Sequence, residues 1–474
     1  MLFRNSSIYI LAKIIPGLMA FAALSIYTHF LTPEEYGVYT LIISGTILLH
    51  NVIYNWLPAG TLRFWSSKQY DNLTFTSTLA TSYIKISFAL LIIVILLLIS
   101  SLWHDKFDIS WIISAFLLLL AQALFGITQG LFTAKIQPHY YAYLSISYSI
   151  LALALGSILS YLGFGATGVI TGITLGTIIP ALFVYKKTWL PYKKEVYNKE
   201  LFKKLLVYGL PFASAALLEE VTKVSDRFML AWLQDKSQAG LYAVGYDLSG
   251  NSILLIMAAI NLAAYPVIIK LFENDGKKVA MDYFQQYAIL LLGVSIPAVI
   301  GLNLIGPDLV YLLIDKQYQE SVIFLLPWIT LAVFVMGLQA TYFDIAFQLG
   351  QQVITVAKIG VVIAIINLIL NYWLIPTMSL HGAAIATLSS FTIGTVLSAI
   401  LGRKCFSLPF PTMEFIKIII ASLIMGFCLW WLKDMRGWGW LLIQLSVGIS
   451  SYLIMMIAFD ILNIRSHIKS YLKK

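Results

Sequence analysis

The chain has 474 residues, of which 60% are hydrophobic and only 11% charged, with a formal net charge of +9 and a mean hydropathy of +0.86. A soluble domain carries roughly 25% charged residues, so this chain lacks the charge to cover a water-facing surface. The figures exclude a soluble globular chain, and continuous apolar runs such as 84–102 exclude a transmembrane β-barrel, whose strands alternate.

A helix needs roughly 20 apolar residues to cross the hydrocarbon core. Fourteen stretches reach that length. They predict an all-α polytopic membrane protein with spans near 8–30, 38–60, 79–102, 110–133, 142–162, 166–185, 207–233, 240–269, 285–305, 321–348, 353–375, 381–402, 413–432 and 438–460. Span one opens like a signal peptide, with Arg4 ahead of an apolar run. It is long enough to cross and further spans follow, which predicts its retention.

In chain order, the first half shows four local features. A polar loop, Leu31-Thr-Pro-Glu-Glu-Tyr-Gly37-Val-Tyr39, follows span one. Span two closes with Pro58 and then Arg63-Phe64, and span four ends in Thr128-Gln129-Gly130. Span six opens with Gly165-Ala-Thr-Gly168-Val-Ile. Within it Gly168, Gly172 and Gly176 recur every fourth residue, a spacing that lets helix backbones approach closely. A Lys-rich hydrophilic linker, 186–206, then interrupts the apolar pattern.

The second half repeats these features in order. Leu233-Gln-Asp-Lys-Ser-Gln-Ala-Gly240-Leu-Tyr242 follows span seven, and span eight closes with Pro266 and then Lys270-Leu-Phe272. Span ten ends in Gln348-Leu349-Gly350, and span twelve opens with His381-Gly382-Ala-Ala-Ile-Ala. Four matches in one order predict a parallel repeat, with its axis along the membrane normal and a cavity between two bundles. The expected organisation is an N-terminal six-helix lobe (1–185), a cytoplasmic linker (186–206), a C-terminal six-helix lobe (207–402), and two added spans with a basic tail (403–474).

The basic charge is topological. With the N-terminus cytoplasmic, loops on that side hold 20 of the 31 Lys and Arg residues and the opposite loops 5, the rest lying inside spans. This bias follows the positive-inside rule and places both termini in the cytoplasm. It makes nucleic acid an unneeded partner and anionic lipid a natural one. Cys405 and Cys428 form neither a ligand spacing nor a disulfide framework. No phosphate-cradling glycine loop, metal cluster or nucleophile elbow is present, so no cofactor and no enzymatic activity are expected. Asn72-Leu73-Thr74 matches a glycosylation acceptor, but on the cytoplasmic side the match has no meaning.

Ionisable groups inside spans cost roughly 2.5–3.5 kcal/mol each on insertion scales and face a wet cavity or a partner. Span seven is the outlier, with Glu219, Glu220, Lys223, Asp226 and Arg227. Glu219, Lys223 and Asp226 share one face; Glu220, Lys223 and Arg227 share the next. The set is either an ion-pair ladder that locks the bundle or a lining of the cavity. Lys13, Lys85 and Lys358 are further intramembrane cations, and Asp344 in span ten is a carboxylate with no local partner in sequence. Tyr27, Tyr246 and Tyr342 are candidates for stacking on a solute in the cavity or for anchoring at the interface.

The Leu31–Tyr39 loop resembles that of the polysaccharide-transporter (Wzx-type) branch of the multidrug/oligosaccharidyl-lipid/polysaccharide exporter superfamily. Ser225-Asp226-Arg227-Phe-Met-Leu230, leading to Gly240-Leu-Tyr242, resembles that family's seventh helix, and Gly382-Ala-Ala-Ile-Ala-Thr387 its twelfth. The resemblance implies two six-helix lobes around a central cavity, with two extra C-terminal helices. It implies a flippase that moves undecaprenyl-pyrophosphate-linked oligosaccharide repeat units, of O-antigen or a similar surface polysaccharide, to the outer leaflet of a bacterial inner membrane. Lys13, Lys85, Lys223, Arg227 and Lys358 are then candidate substrate-binding cations. Glu219, Glu220, Asp226, Asp247 and Asp344 are candidates for coupling to H⁺ or Na⁺. Asp247 departs from the pattern, which leads to a basic residue after Gly245-Tyr246. A polysaccharide polymerase and a chain-length regulator are the implied protein partners. The rival readings are a cation-coupled multidrug antiporter of the same superfamily and a membrane polymerase or glycosyltransferase. The antiporter is disfavoured by Lys and Arg inside spans, the enzyme by external loops of at most roughly fifteen residues.

Overall fold

The computed structural model describes residues 2–67, 69–104, 108–189, 192–433, 435–463 and 465. Of the basic residues counted above, Lys68, Lys106, Lys469, Lys473 and Lys474 lie outside them. The described chain is helical, in order α1 Leu2–Phe30, α2 Pro33–Ile53, α3 Trp56–Phe64, α4 Asn72–His104, α5 Ile109–Ala134, α6 Pro138–Leu159, α7 Gly165–Phe183, α8 Tyr185–Thr188, α9 Lys199–Leu233, α10 Lys236–Asn274, α11 Lys277–Leu313, α12 Lys316–Leu338, α13 Ile345–Leu349, α14 Val353–Cys405, α15 Thr412–Trp430 and α16 Trp438–Ala458. Twelve helical stretches are long and apolar enough to cross a membrane. Two of these, 138–183 and 354–405, are long enough to cross twice, which accounts for the fourteen expected spans.

Both double-length stretches fold back on themselves. In the first, the chain turns at Gly163 (φ 90°) and Gly165 (φ 51°). A Cβ on Gly172 would strike the backbone of Gly156, and one on Gly176 the backbone of Ala152. The every-fourth-residue glycines therefore form the seam along which α7 packs on α6. In the second, Ser379 (φ 49°) breaks α14. A Cβ on Gly382 would strike the backbone of Leu374 and Ile375, and one on Gly394 the side chain of Ile363. Without a hydrophobic force between helices in lipid, such close van der Waals approach holds spans together. Asn371 Nδ2 donates to Asn367 Oδ1 at 3.0 Å inside this second hairpin, where both residues are fully buried.

Local chemistry sets where helices begin. Thr32 and Glu35 cap α2 reciprocally, with Pro33 in its first turn. Asp108, Asn198 and Asp315 cap α5, α9 and α12 by accepting from Ser110, Leu201 and Gln317 backbone N–H groups. Expected span two is broken at Tyr54-Asn55 into α2 and α3.

Two compact units divide the chain, Met1–Gly240 and Leu241–Lys474. The Lys-rich linker thus falls inside the first. It is not a free loop. Lys193 and Asn198 donate backbone N–H bonds to Ser77 Oγ and Thr78 Oγ1 at 3.0 and 3.1 Å, and the Trp189 indole donates to Thr128 Oγ1 at 3.2 Å. Within this unit α9 packs on α2 and α3, where Gly60 abuts Leu205 and Gly209 abuts Trp56. The core there gathers Tyr54, Leu57, Phe75, Ile127, Leu201 and Leu205.

The two echoed loops meet. A Cβ on Gly37 would collide with the Lys236 carbonyl, and one on Gly240 with the Pro33 carbonyl. Each glycine thus faces the carbonyl four residues before the other, so the contact is reciprocal. In the second unit, α15 and α16 pack on α11. Gln444 donates to the buried carboxylate of Asp308 at 2.8 Å, and the Tyr452 hydroxyl to the Gly293 carbonyl at 2.6 Å. The added pair is thereby hydrogen-bonded to span nine.

Candidate functional site

The charges of α9 lie along a gradient of burial. At one end Lys223 donates to Glu219 Oε1 at 2.6 Å, with side chains 34% and 69% exposed. One turn further, Asp226 is fully buried and Arg227 is 9% exposed. Arg227 Nη1 donates to Thr40 Oγ1 on α2 at 2.6 Å, a charge-assisted bond that ties the two helices. Glu220 is half-buried and within electrostatic range of Lys223, Glu219 and Arg227. The helix therefore presents an accessible ion pair and a buried, hydrogen-bonded cation side by side. The accessible part can meet a solute, while the buried part is tied into the packing.

The other candidates lie elsewhere. Lys13 on α1 and Lys85 on α4 are exposed. Lys85 Nζ sits 4.1 Å from the Tyr197 ring of the linker. Among the described residues no hydrogen bond or ion pair joins either lysine to the α9 set. In the second unit, Asp247 on α10 is half-buried and Lys358 on α14 is exposed.

Asp344 is 7% exposed and accepts from the Ser398 hydroxyl at 2.8 Å. It follows a wide helical turn at 339–343, closed by its own N–H on the Gln339 carbonyl at 2.9 Å. Such widened turns concentrate at functional sites. Nothing in the local sequence signals it. An apolar cleft of ≈ 450 Å³ lies among α10, α11, α15 and α16, with Pro297, Gly301, Leu429, Gly448 and Tyr452 in its walls. It has room for an alkyl chain, and among the described residues no Asp, Glu, His, Lys or Arg lines it. Among the described residues no group of three His, Cys, Asp or Glu could hold a metal ion.

The three tyrosines are placed otherwise than expected. Tyr27 and Tyr342 are 2% exposed and Tyr246 is 8% exposed. Tyr27 donates to the Ala152 carbonyl at 3.2 Å and Tyr342 to the Pro409 carbonyl at 2.9 Å, while Tyr246 points its hydroxyl at Met336 sulfur. Buried rings with satisfied hydroxyls neither stack on sugars nor anchor at an interface. They fill helix contacts, because a tyrosine can bury its ring once its O–H finds an acceptor.

Comparison with known proteins decides the family. Residues 2–272 match the family described as polysaccharide biosynthesis protein. The chain belongs to this polysaccharide biosynthesis family. The resemblance drawn from the Leu31–Tyr39, Ser225–Leu230 and Gly382–Thr387 segments, to a polysaccharide transporter of the exporter superfamily, is borne out.

A relative from Staphylococcus aureus, capsular polysaccharide biosynthesis protein CapF, is 23% identical over 407 residues, covering 82% of this chain and 96% of its own. The probable flippase AglR of Haloferax volcanii is 28% identical over 178 residues, 36% of each chain. The chain thus spans about a third of that archaeal relative's length.

Among solved structures, the lipid II flippase MurJ in an inward closed conformation superposes with a TM-score of 0.74 at 18% identity, covering 97% of this chain and 99% of that one. An inward-facing multidrug resistance MATE transporter gives 0.62 at 15% identity, covering 87% and 99%. This member of the polysaccharide biosynthesis family therefore has the all-α fold shared by those transporters and is a multi-pass membrane protein.

Proposed function

We propose that the protein is a flippase for lipid-linked oligosaccharides. It carries undecaprenyl-pyrophosphate-linked repeat units of O-antigen or a similar surface polysaccharide from the inner to the outer leaflet of a bacterial inner membrane, by alternating access. The family match over residues 2–272 carries this reading, and relatives named as flippases support it. The division into two six-span lobes and an added pair belongs to the proposal, as does a cytoplasmic location for both termini.

The chemistry assigned to α9 follows from charge. A pyrophosphate carries several negative charges, and a cation in a partly desolvated site attracts it more strongly than in bulk water. Lys223 takes that role, with Arg227 fixing the helix behind it and Lys13, Lys85 and Lys358 as further cations along the route. Glu219, Glu220, Asp226, Asp247 and Asp344 are the carboxylates available to a coupling H⁺ or Na⁺. A polymerase and a chain-length regulator act on the delivered units.

Deleting the chain should trap lipid-linked repeat units at the inner leaflet and abolish surface polysaccharide. Surface glycan of normal length and amount, with no redundant transporter present, would refute the proposal. The likeness to the MATE transporter favours a second reading, a cation-coupled drug antiporter. In that case deletion changes drug susceptibility and leaves the glycan intact.

A further inference from the structure

The first unit carries a cluster of cations that the transport proposal does not use. Lys135 caps α5, and its Nζ lies 4.8 Å from the ring of Trp65, just past the end of α3. Lys187, in the short α8 that follows α7, lies 3.9 Å over the ring of Tyr140 in the first turn of α6 and also contacts its hydroxyl. Phe132 stacks behind Tyr140, ring to ring at 5.1 Å. These helix ends share the side of the unit on which the linker is fastened.

We infer that Lys135 and Lys187 together bind the phosphate of an anionic lipid headgroup in the leaflet on the linker side. The inference stands apart from the transported substrate. Among the described residues neither lysine forms an ion pair. Burial and, secondarily, the Lys187 charge push the Lys135 ammonium below its usual range, so the two like charges are close enough to oppose each other. A half-buried Lys135 and an exposed Lys187, with no ion pair to either among the described residues, are relieved by an anion.

Apolar surface then selects a lipid over a soluble phosphate. Ile136, next to Lys135, is 72% exposed and held at φ 53°, a backbone region that β-branched residues rarely adopt. Leu182 and Phe183, just ahead of Lys187, are 60% and 76% exposed. A headgroup on the two ammonium groups would lay its acyl chains against these residues. Inorganic phosphate would touch none of them. The rings beneath the ammonium groups hold them in place through cation–π attraction and leave N–H donors facing outward.

The full chain in phosphatidylcholine nanodiscs, titrated with phosphatidylglycerol and read by native mass spectrometry, tests the site. Wild type should retain one phosphatidylglycerol, and Lys135→Gln or Lys187→Gln should each weaken retention about fivefold, as expected for one basic residue at an anionic surface. The charge-matched control Lys270→Gln with Lys278→Gln, two exposed lysines of the second unit, should retain it as wild type does. Phosphatidylglycerol should also raise the thermal midpoint of wild type but not of the Lys135→Gln/Lys187→Gln pair. If that pair fails to fold, Lys135→Gln alone carries the comparison. Undiminished retention in the site variants, or equal loss in the control, overturns the inference. Displacement of the lipid by millimolar inorganic phosphate overturns the choice of lipid.

Discussion

Neutralising Lys223 separates the two meanings of the α9 charges, because its partner is left behind. Lys223 and Glu219 are bonded at 2.6 Å with side chains 34% and 69% exposed. If water fills the space in front of them, an exposed i,i+4 pair is worth about 0.3–0.5 kcal/mol. Lys223→Gln then costs about that much, and abundance and thermal midpoint stay near wild type. If hydrocarbon faces the pair, the stranded Glu219 carboxylate costs about 2.5–3.5 kcal/mol. Membrane abundance then collapses, and the paired change Glu219→Gln with Lys223→Gln restores it. The transport proposal requires the first outcome, together with a loss of repeat-unit export in Lys223→Gln. In-gel fluorescence of a tagged chain gives abundance, and surface polysaccharide gives export. A Lys223→Gln chain lost from the membrane, with a fully exporting double variant at normal abundance, would refute the cavity role and leave a structural ladder.

Gly172→Leu should cut abundance sharply, since its side chain meets the Gly156 and Leu155 backbone and overpacking costs about 1–3 kcal/mol even where side chains can yield. Gly163→Asn should be tolerated within about 1 kcal/mol in thermal midpoint, because nothing lies within 4 Å of the added Cβ and Asn accepts positive φ. Asp344→Asn keeps an acceptor for Ser398 and removes the charge. Normal abundance with lost export would mark it as the coupling carboxylate, and unchanged export would remove it from that role. Reporter fusions at Lys204 and at Glu35 should face opposite sides, cytoplasmic and external; an external Lys204 would overturn the orientation drawn from the basic residues.

Hydrophobic length alone placed the spans, because a helix that crosses lipid must be apolar for its whole run. The glycine spacing in span six likewise foretold the seam at Gly172 and Gly176, since only a missing side chain permits that approach. Features set by tertiary contact were not legible. The break at Tyr54-Asn55 leaves the apolar pattern unchanged. The wide turn before Asp344 adds one residue to a helix without altering its composition. Tyr27, Tyr246 and Tyr342 looked available for sugars because a sequence cannot show whether a hydroxyl has already found a carbonyl. Nor does a Lys-rich linker reveal that Ser77, Thr78 and Thr128 fasten it down. For the α9 charges, spacing gave the Glu219–Lys223 pair, but the buried bond from Arg227 to Thr40 joins residues 187 positions apart.

The meeting of Gly37 with Gly240 ties together the futures of two distant stretches of the gene. Here each stretch supplies both the gap and the carbonyl that fills the other's gap. A codon change that adds even a methyl group to one glycine is paid for by the opposite backbone. No single compensating side chain can make room, because the obstacle is main chain. The seam therefore fixes two codons at once, whatever the loops around them become.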